Sequence, residues 1–417
     1  SSQVASGLTG MKGTTSAAQV GEKVLAACAS SPPGDWIYGR GWDQNDWETA
    51  EFPSWKDLDG CDENPVYLSR VDGHALWVND VALKRAGIHK GTAEPPGGRI
   101  LRDELGIPTG VLVDNAGSLV LDLVPEPTHG QLLRRARVAQ AECLRLGLTS
   151  VTDAGVDAAG FAVYDELGAS GELKVRIHAM VQGEAELIDA YLARGPQADL
   201  YDHHLTIRAV KLYVDGALGS RGAALLEPYS DGSGHRGLIV TEPDEIHDVS
   251  LRALRSGFQV CTHAIGDRGN RVTLDAYERA IKDFQAETGD TPDHRFRIEH
   301  AQVLHPDDIP RFAALGVLPS MQPTHATSDM PWAEQRVGPD RIAGAYAWRR
   351  LLDTGTHMPL GSDFPVESPA PLWGLYAAVT RQDHQGHPEG GWYPDQRLTM
   401  EEAVRGFTAD AAHGSFE

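Results

Sequence analysis

From residue 128 onward the chain alternates short apolar runs with longer amphipathic ones, and this alternation constrains the fold more than any other feature. Strand-like runs stand at "LTSVTDAG", "KVRIHAMV", "TIRAVKLYVDG", "FQVCTHAIGD", "RFRIEHAQ", "GVLPSMQP" and "HMPLGSDFPV". Helix-like segments separate most of them, among them "EIHDVSLRALRSG" and "NRVTLDAYERAIKDFQAETG". Repeated βα units of this size predict a parallel sheet covered by helices. No G-x-G-x-x-G follows a strand. The series therefore fits an α/β protein with a TIM-like (β/α)8 barrel better than a doubly wound sheet. Seven strands can be placed in this way. The eighth belongs before Ser16, where "SSQVASGLTGMKG" offers neither a strand pattern nor an initiator Met. The expectation is a chain truncated at both ends, with no complete barrel strand before Ser16.

Helix starts are marked locally. Ser16 with Gln19, and Thr128 with Gln131, have capping-box spacing, and Gly147 stands where the second helix would end. Residues 32–125 differ in texture, being rich in Pro, Gly and Trp with short extended pieces such as "PVYLSRVDG" and "GVLVDNA". They predict an irregular insertion over the barrel mouth. The expected divisions are an N-terminal remnant and first helix at 1–31, the insertion at 32–125, and the barrel at 126–417. Trp36, Trp42, Trp47 and Trp77 fit either an apolar pocket or a small core belonging to the insertion.

With 41% hydrophobic and 23% charged residues among 417, the chain has the composition of an ordinary globular protein. A net charge of −22 argues against nucleic acid or an anionic membrane as partner. No run approaches the ~18 apolar residues a membrane span needs. Cys28, Cys61, Cys143 and Cys261 lie far apart without a CxxC. They are expected to be reduced thiols in a cytoplasmic protein.

The stretch "AVKLYVDG" raises the chemical question. Ile207, Val210, Leu212, Tyr213 and Val214 surround Lys211 with apolar side chains on both alternations of a strand. An unpaired buried ammonium is costly, so the lysine must be paired, neutral or chemically altered. Asp215 or Glu299 could pair with it. His263, His300 and Asp363 occupy the ends of other strands, and in a barrel those carboxyl ends form the active-site face. Each has a plain reading too, as a packing histidine or a turn residue before Phe364-Pro365. Their conjunction points to metal ligands.

These residues lie in stretches that carry a family resemblance. "VKLYVDGALGSRGAALLEPY", "THAIGDRGNRVTLDAYE", "FRIEHAQVLHPDDI", "MQPTHATSDMPW" and "YAWRRLLDTGTHMPLGSDFPVESP" resemble the amidohydrolase superfamily. The likeness is greatest to its YtcJ-like branch, which includes N-substituted formamide deformylase, and it runs from about Trp36 to the end. It implies one or two divalent ions at the barrel mouth, zinc first, with iron or manganese as the other candidates. By that likeness a carbamylated Lys211 bridges two ions, His263 and His300 hold one, and Asp363 holds the other. Asp363 would also take a proton from the attacking water and return it to the leaving nitrogen. The family's first strand carries a His-x-His pair that this sequence lacks, its first histidine being His74. The flanking β-sandwich that the resemblance implies is expected to be missing as well. His74 resembles a substrate-pocket histidine, and Arg221 and His325 could contact substrate oxygen, each against the alternative of an ordinary loop or packing contact.

The implied activity is hydrolysis of a non-peptide C–N bond, an amide or N-acyl amine, by a metal-activated hydroxide. An ester, lactone or cyclic amidine would suit the same site. A metal-poor, non-catalytic barrel acting in binding or assembly is the alternative of another class. The expected partner is a small amide-like molecule, and a homodimer is among the assemblies allowed.

Overall fold

In a computed structural model, residues 4–232 and 234–417 are described, residues 4–9 by their backbone alone. Backbone contacts divide the chain into two units. The first runs to Pro127 and takes in Gly216–Ala223; the second comprises Thr128–Asp215 and Ala224–Glu417.

The second unit realises the strand–helix alternation. Its strands are β7 (Ser150–Val156), β8 (Arg176–Val181), β9 (Gln197–Asp199), β10 (Leu205–Tyr213), β11 (Gln259–Ala264), β12 (Arg297–His300) and β13 (Leu318–Ser320). All pair in parallel in the order β7-β8-β10-β11-β12-β13, except β9, which joins β10 antiparallel at one point. Chain order and spatial order agree, so the sheet winds in one direction as a barrel sheet does, without the reversal of a doubly wound fold. The expected seventh run, at "HMPLGSDFPV", contributes only a parallel bridge between Met321 and Leu360. Two prolines, Pro359 and Pro365, and the turn between them limit the ladder there.

The helices form for local reasons. Pro243–Ser256 buries Ile246, Val249, Ala253 and Leu254 on one face, carries Asp244 and Glu245 in its first turn, and stops at Gly257 with φ +76°. Thr128 and Gln131 make the expected reciprocal cap on His129–Arg145. Ser16 caps Ala17–Ala29 through Gln19 N–H, but the Gln19 side chain reaches back to Thr15 N–H instead of Ser16.

The first unit departs from the expected irregular texture. It holds a six-stranded sheet ordered β1-β2-β3-β4-β6-β5. These strands are β1 (Val4–Thr9), β2 (Trp36–Trp42), β3 (Val66–Arg70), β4 (Ala75–Val78), β5 (Gly98–Arg102) and β6 (Pro108–Asp114). The strands from β1 to β3 are parallel and the rest antiparallel. Residues 4–9 therefore do form a strand, but it pairs with β2 in this sheet and not with the sheet of the second unit. Trp42, Trp47 and Trp77 pack together with ring centroids 5.8–6.2 Å apart, making a core rather than a pocket lining.

The expectation of reduced thiols is overturned as well. Cys28 and Cys61 form a disulfide with Cα atoms 6.0 Å apart, while Cys143 and Cys261 are free and buried. Helix Ala17–Ala29 lays Val20, Val24 and Ala27 into the same core as Cys61 and Trp42, and this brings together sulfurs separated by 33 positions in sequence. The ground for a cytoplasmic location goes with the expectation of reduced thiols. Among the described residues, no helix is long and apolar enough to cross a membrane.

Candidate metal and active site

The sheet register aligns the candidate residues along one edge. Lys211 lies opposite Cys261, Tyr213 opposite His263, His263 opposite Glu299, and Ala264 opposite His300. All stand at the carboxyl ends of β10, β11 and β12, the edge on which α/β barrels build their sites.

Lys211 is 5% exposed, with its ammonium 3.5 Å from the centroid of the Tyr213 ring and 3.3 Å from the Leu212 carbonyl oxygen, to which it donates. Burial lowers its pKa to about 8, against the upward pull of the Glu299 and Asp363 carboxylates. Beneath it, Arg297 and Glu299 form a buried ion pair with 2.8 Å between Nε and Oε1. Burial alone would raise the Glu299 carboxyl, yet Arg297, Ser320 and Lys211 together hold it below the usual carboxylate range. Lys211 is thus compensated by two carboxylates and still loosened toward the neutral amine.

His263 and His300 meet edge to face with ring centroids 4.6 Å apart, so the two strand-end histidines share one site. The His263 Nε2 lies 3.7 Å from Asp215 Oδ1. Asp215 is fully buried and accepts backbone N–H groups from Ala224, Ile265 and Gly266 at 2.8–2.9 Å, which knots the ends of β10 and β11 together. His300 is fixed from the other side: its Nδ1 is 2.7 Å from Gln322 Oε1. An amide oxygen can only accept, so Nδ1 carries the proton and Nε2 presents a lone pair.

Ligand atoms of His300, His325 and Asp363 all lie within 4.8 Å of one another. His325 stacks on His300 with centroids 5.8 Å apart, and its Nε2 is 3.9 Å from Asp363 Oδ2. The Asp363 side chain is 37% exposed, whereas that of His325 is 12% exposed. Asp363 is also a turn residue, its carbonyl accepting from Val366 N–H at 2.8 Å, so the plain reading and the chemical one hold together. His300 and Asp363 take positive φ angles of 76° and 55°. Residues with a side chain adopt that region at a cost of order ~1 kcal/mol or more, and such strain concentrates at functional sites.

The remaining two expected residues belong to the first unit. His74 Nδ1 is 2.8 Å from Asp114 Oδ1, and its backbone N–H donates to Asp72. Arg221, in the segment Gly216–Ala223, closes a turn by donating its backbone N–H to Leu218. Sequence reasoning missed Gln322 and Asp114, and offered Asp215 only as a partner for Lys211, not for His263 and the backbone amides. Asp215 and Gln322 directly follow strand runs, in "YVDG" and "SMQP", a position where a polar residue can serve the site.

A parallel α/β sheet thus gathers imidazole and carboxylate groups at its carboxyl edge, the edge on which α/β proteins of this kind build active sites. The comparisons make the assignment specific. The amidohydrolase family model matches residues 5–417, and the chain belongs to that family. It is 33% identical over 91% of its length to YtcJ of Bacillus subtilis (strain 168), covering 71% of that protein. It is 28% identical over 95% of its length to N-substituted formamide deformylase of Arthrobacter pascens, covering 73% of it. Among solved structures, an uncharacterized metal-dependent hydrolase from Pyrococcus horikoshii OT3 superposes with a TM-score of 0.73 at 28% identity. That match covers 97% of this chain and 77% of the other. The family assignment makes the protein an enzyme of carbon–nitrogen bond hydrolysis at the general level.

Proposed function

We propose that the chain is a metal-dependent hydrolase of a non-peptide C–N bond, an amide or N-acyl amine. The observation that carries this reading is the convergence of His300, His325 and Asp363 beside buried Lys211. Two imidazoles and a carboxylate fit a divalent ion, with zinc the first candidate and iron or manganese next. When bound, such an ion would bring the pKa of a coordinated water toward neutrality and polarise the carbonyl under attack.

The chain's own groups divide the remaining work. Gln322 would keep the His300 ring oriented. The exposed Asp363 carboxylate would accept a proton from the attacking water and deliver it to the leaving nitrogen, which departs readily only as the neutral amine. Burial shifts Lys211 toward the free amine, the form that reacts with carbon dioxide. The carbamate so formed would replace a cation by a carboxylate-like ligand next to His263. On this reading the sheet from β7 to β13 is the larger part of a (β/α)8 barrel.

The name of the Arthrobacter pascens relative suggests N-substituted formamides as the first amides to assay, beside a panel of esters. Turnover of an amide that disappears on chelation and returns with zinc supports the proposal. Undiminished turnover in protein shown by elemental analysis to be metal-free would refute it.

A further inference from the structure

We propose that Arg381 and Trp348 form a buried binding site for one small monovalent anion, a halide such as chloride. Four arginines among the described residues are 5% exposed or less: Arg70, Arg297, Arg336 and Arg381. Three of them meet carboxylates, Arg70 pairing with Asp43 and Asp72, Arg297 with Glu299, and Arg336 with Asp231. Arg381 is 0% exposed and pairs with no carboxylate among the described residues. A buried cation needs a counter-charge, because dipoles alone do not repay the hydration it loses.

The contacts of Arg381 solvate the guanidinium without neutralising it. Its Nε donates to the Trp392 carbonyl and its Nη1 to the Tyr346 carbonyl at 3.1 Å. The Trp348 and Trp392 rings lie 4.4 and 5.1 Å from the guanidinium carbon. Burial takes the pKa down to about 10, against Tyr346 and Asp395, so the group stays charged at neutral pH. Arg381 Nη2 and Trp348 Nε1 are both buried without a hydrogen-bond partner among the described residues. Both atoms can only donate, so neither can satisfy the other. An acceptor with one negative charge answers the charge and the two donors together; water supplies lone pairs but no charge. Full enclosure favours a small ion over sulfate or phosphate. The backbone agrees. Arg381 ends helix Pro371–Thr380 in the left-handed region, with φ 53° and ψ 42°, where glycine is usual. Holding a side chain there has a conformational cost, which fits a side chain with a ligand to bind. The bound ion would brace Tyr346, whose N–H donates to the Gln302 carbonyl at 2.7 Å and whose hydroxyl donates to Asp329.

Bromide is the probe, because it mimics chloride and scatters anomalously. The full chain in gluconate buffer would be melted over a range of bromide concentrations at constant ionic strength, beside Trp348→Phe. That change removes the indole donor and keeps a ring, and circular dichroism checks the fold of the variant. Wild-type crystals soaked in bromide would be measured at the bromine absorption edge. An ion that binds only the folded chain raises the melting temperature with the logarithm of its concentration. We expect that rise in the wild type, and an anomalous peak within hydrogen-bond reach of Arg381 Nη2 and Trp348 Nε1. Trp348→Phe should need about tenfold more bromide, or beyond, for the same rise, the usual worth of a hydrogen bond to a charged group. A melting temperature indifferent to bromide, or an equal response in folded Trp348→Phe, would overturn the site. Solvent density without an anomalous peak beside Arg381 would do the same, since water would then hold the two donors. Where Trp348→Phe does not fold, the anomalous map of the wild type decides alone.

Discussion

At the scale of single residues, opposing electrostatic effects decide what each group can do. On the proposed mechanism Asp363 has two separable roles, ligand and proton carrier. Its replacement by Asn keeps an oxygen donor and removes the base. Turnover per bound metal should fall by ~10²–10⁴-fold while the fold persists. Rates measured beside metal content check this, and near-wild-type turnover at equal loading would exclude proton transfer by Asp363. His178 offers a test of stability against pH. It is 3% exposed on β8, and burial, with Arg297 and Arg208 nearby, takes its pKa down to about 3. The folded form therefore binds a proton less readily than the unfolded form, whose histidine titrates near ~6.5. Stability from this residue is complete above the unfolded value and drains away as pH falls toward 3, by at most ~1.4 kcal/mol per unit. Denaturant unfolding at pH 7.5 and pH 5.5 should show that loss in the wild type and a smaller one in His178→Asn. An equal pH response in the two proteins would rule out His178 as the source.

At the scale of elements, the site depends on how closely loops approach one another. Gly266 opens helix Asp267–Thr288 with φ −76°, an ordinary conformation, so backbone strain does not explain its glycine. Space does. A Cβ there would stand 1.9 Å from the Ala224 carbonyl oxygen, backbone that Asp215 anchors through Ala224 N–H. Gly257 is the opposite case: φ is +76°, but the nearest atom to an added Cβ is Pro196 Cγ at 3.6 Å. Gly266→Ala should cost about 3 kcal/mol through overpacking, and Gly257→Ala about 1 kcal/mol through backbone strain. Thermal denaturation of the two variants ranks them, and the reverse order would refute the steric account of Gly266. The knot at Asp215 was not legible in the sequence as a structural device. "YVDG" announces a strand end, but the three amides it gathers come from two later segments.

At the scale of the whole molecule, the two units have different means of stabilisation. The second buries a parallel sheet under helices; the first combines a mixed sheet, a tryptophan core and a disulfide. Closing a loop of 33 residues removes chain entropy from the unfolded state worth about 4 kcal/mol in the simplest treatment. Reduction, or Cys28→Ser with Cys61→Ser, should therefore speed amide exchange through β2, β3 and helix Ala17–Ala29. The sheet from β7 to β13 should keep its protection. Hydrogen exchange followed by mass spectrometry reads the two regions separately, and equal acceleration in both would contradict a stabilisation local to the first unit.

Much of this molecule is determined within short windows of sequence. The runs that become β7, β8, β10, β11, β12 and β13 are visible because strand periodicity and turn residues act over a few positions. Lys211, His263, His300 and Asp363 stand out for the same reason, being polar residues at the ends of apolar runs. What only the tertiary structure decides depends on proximity between distant segments. The Cys28–Cys61 bond needs a helix laid on a sheet, and the ordering of residues 32–125 needs strands that pair out of sequence order. The proximity of His325 to His300 and Asp363 is set by the path of the chain after β13. Local propensity fixes which residues reach the carboxyl edge of the sheet. The long-range packing of strands, helices and loops fixes which of their side chains meet there, and no short window of sequence contains that information.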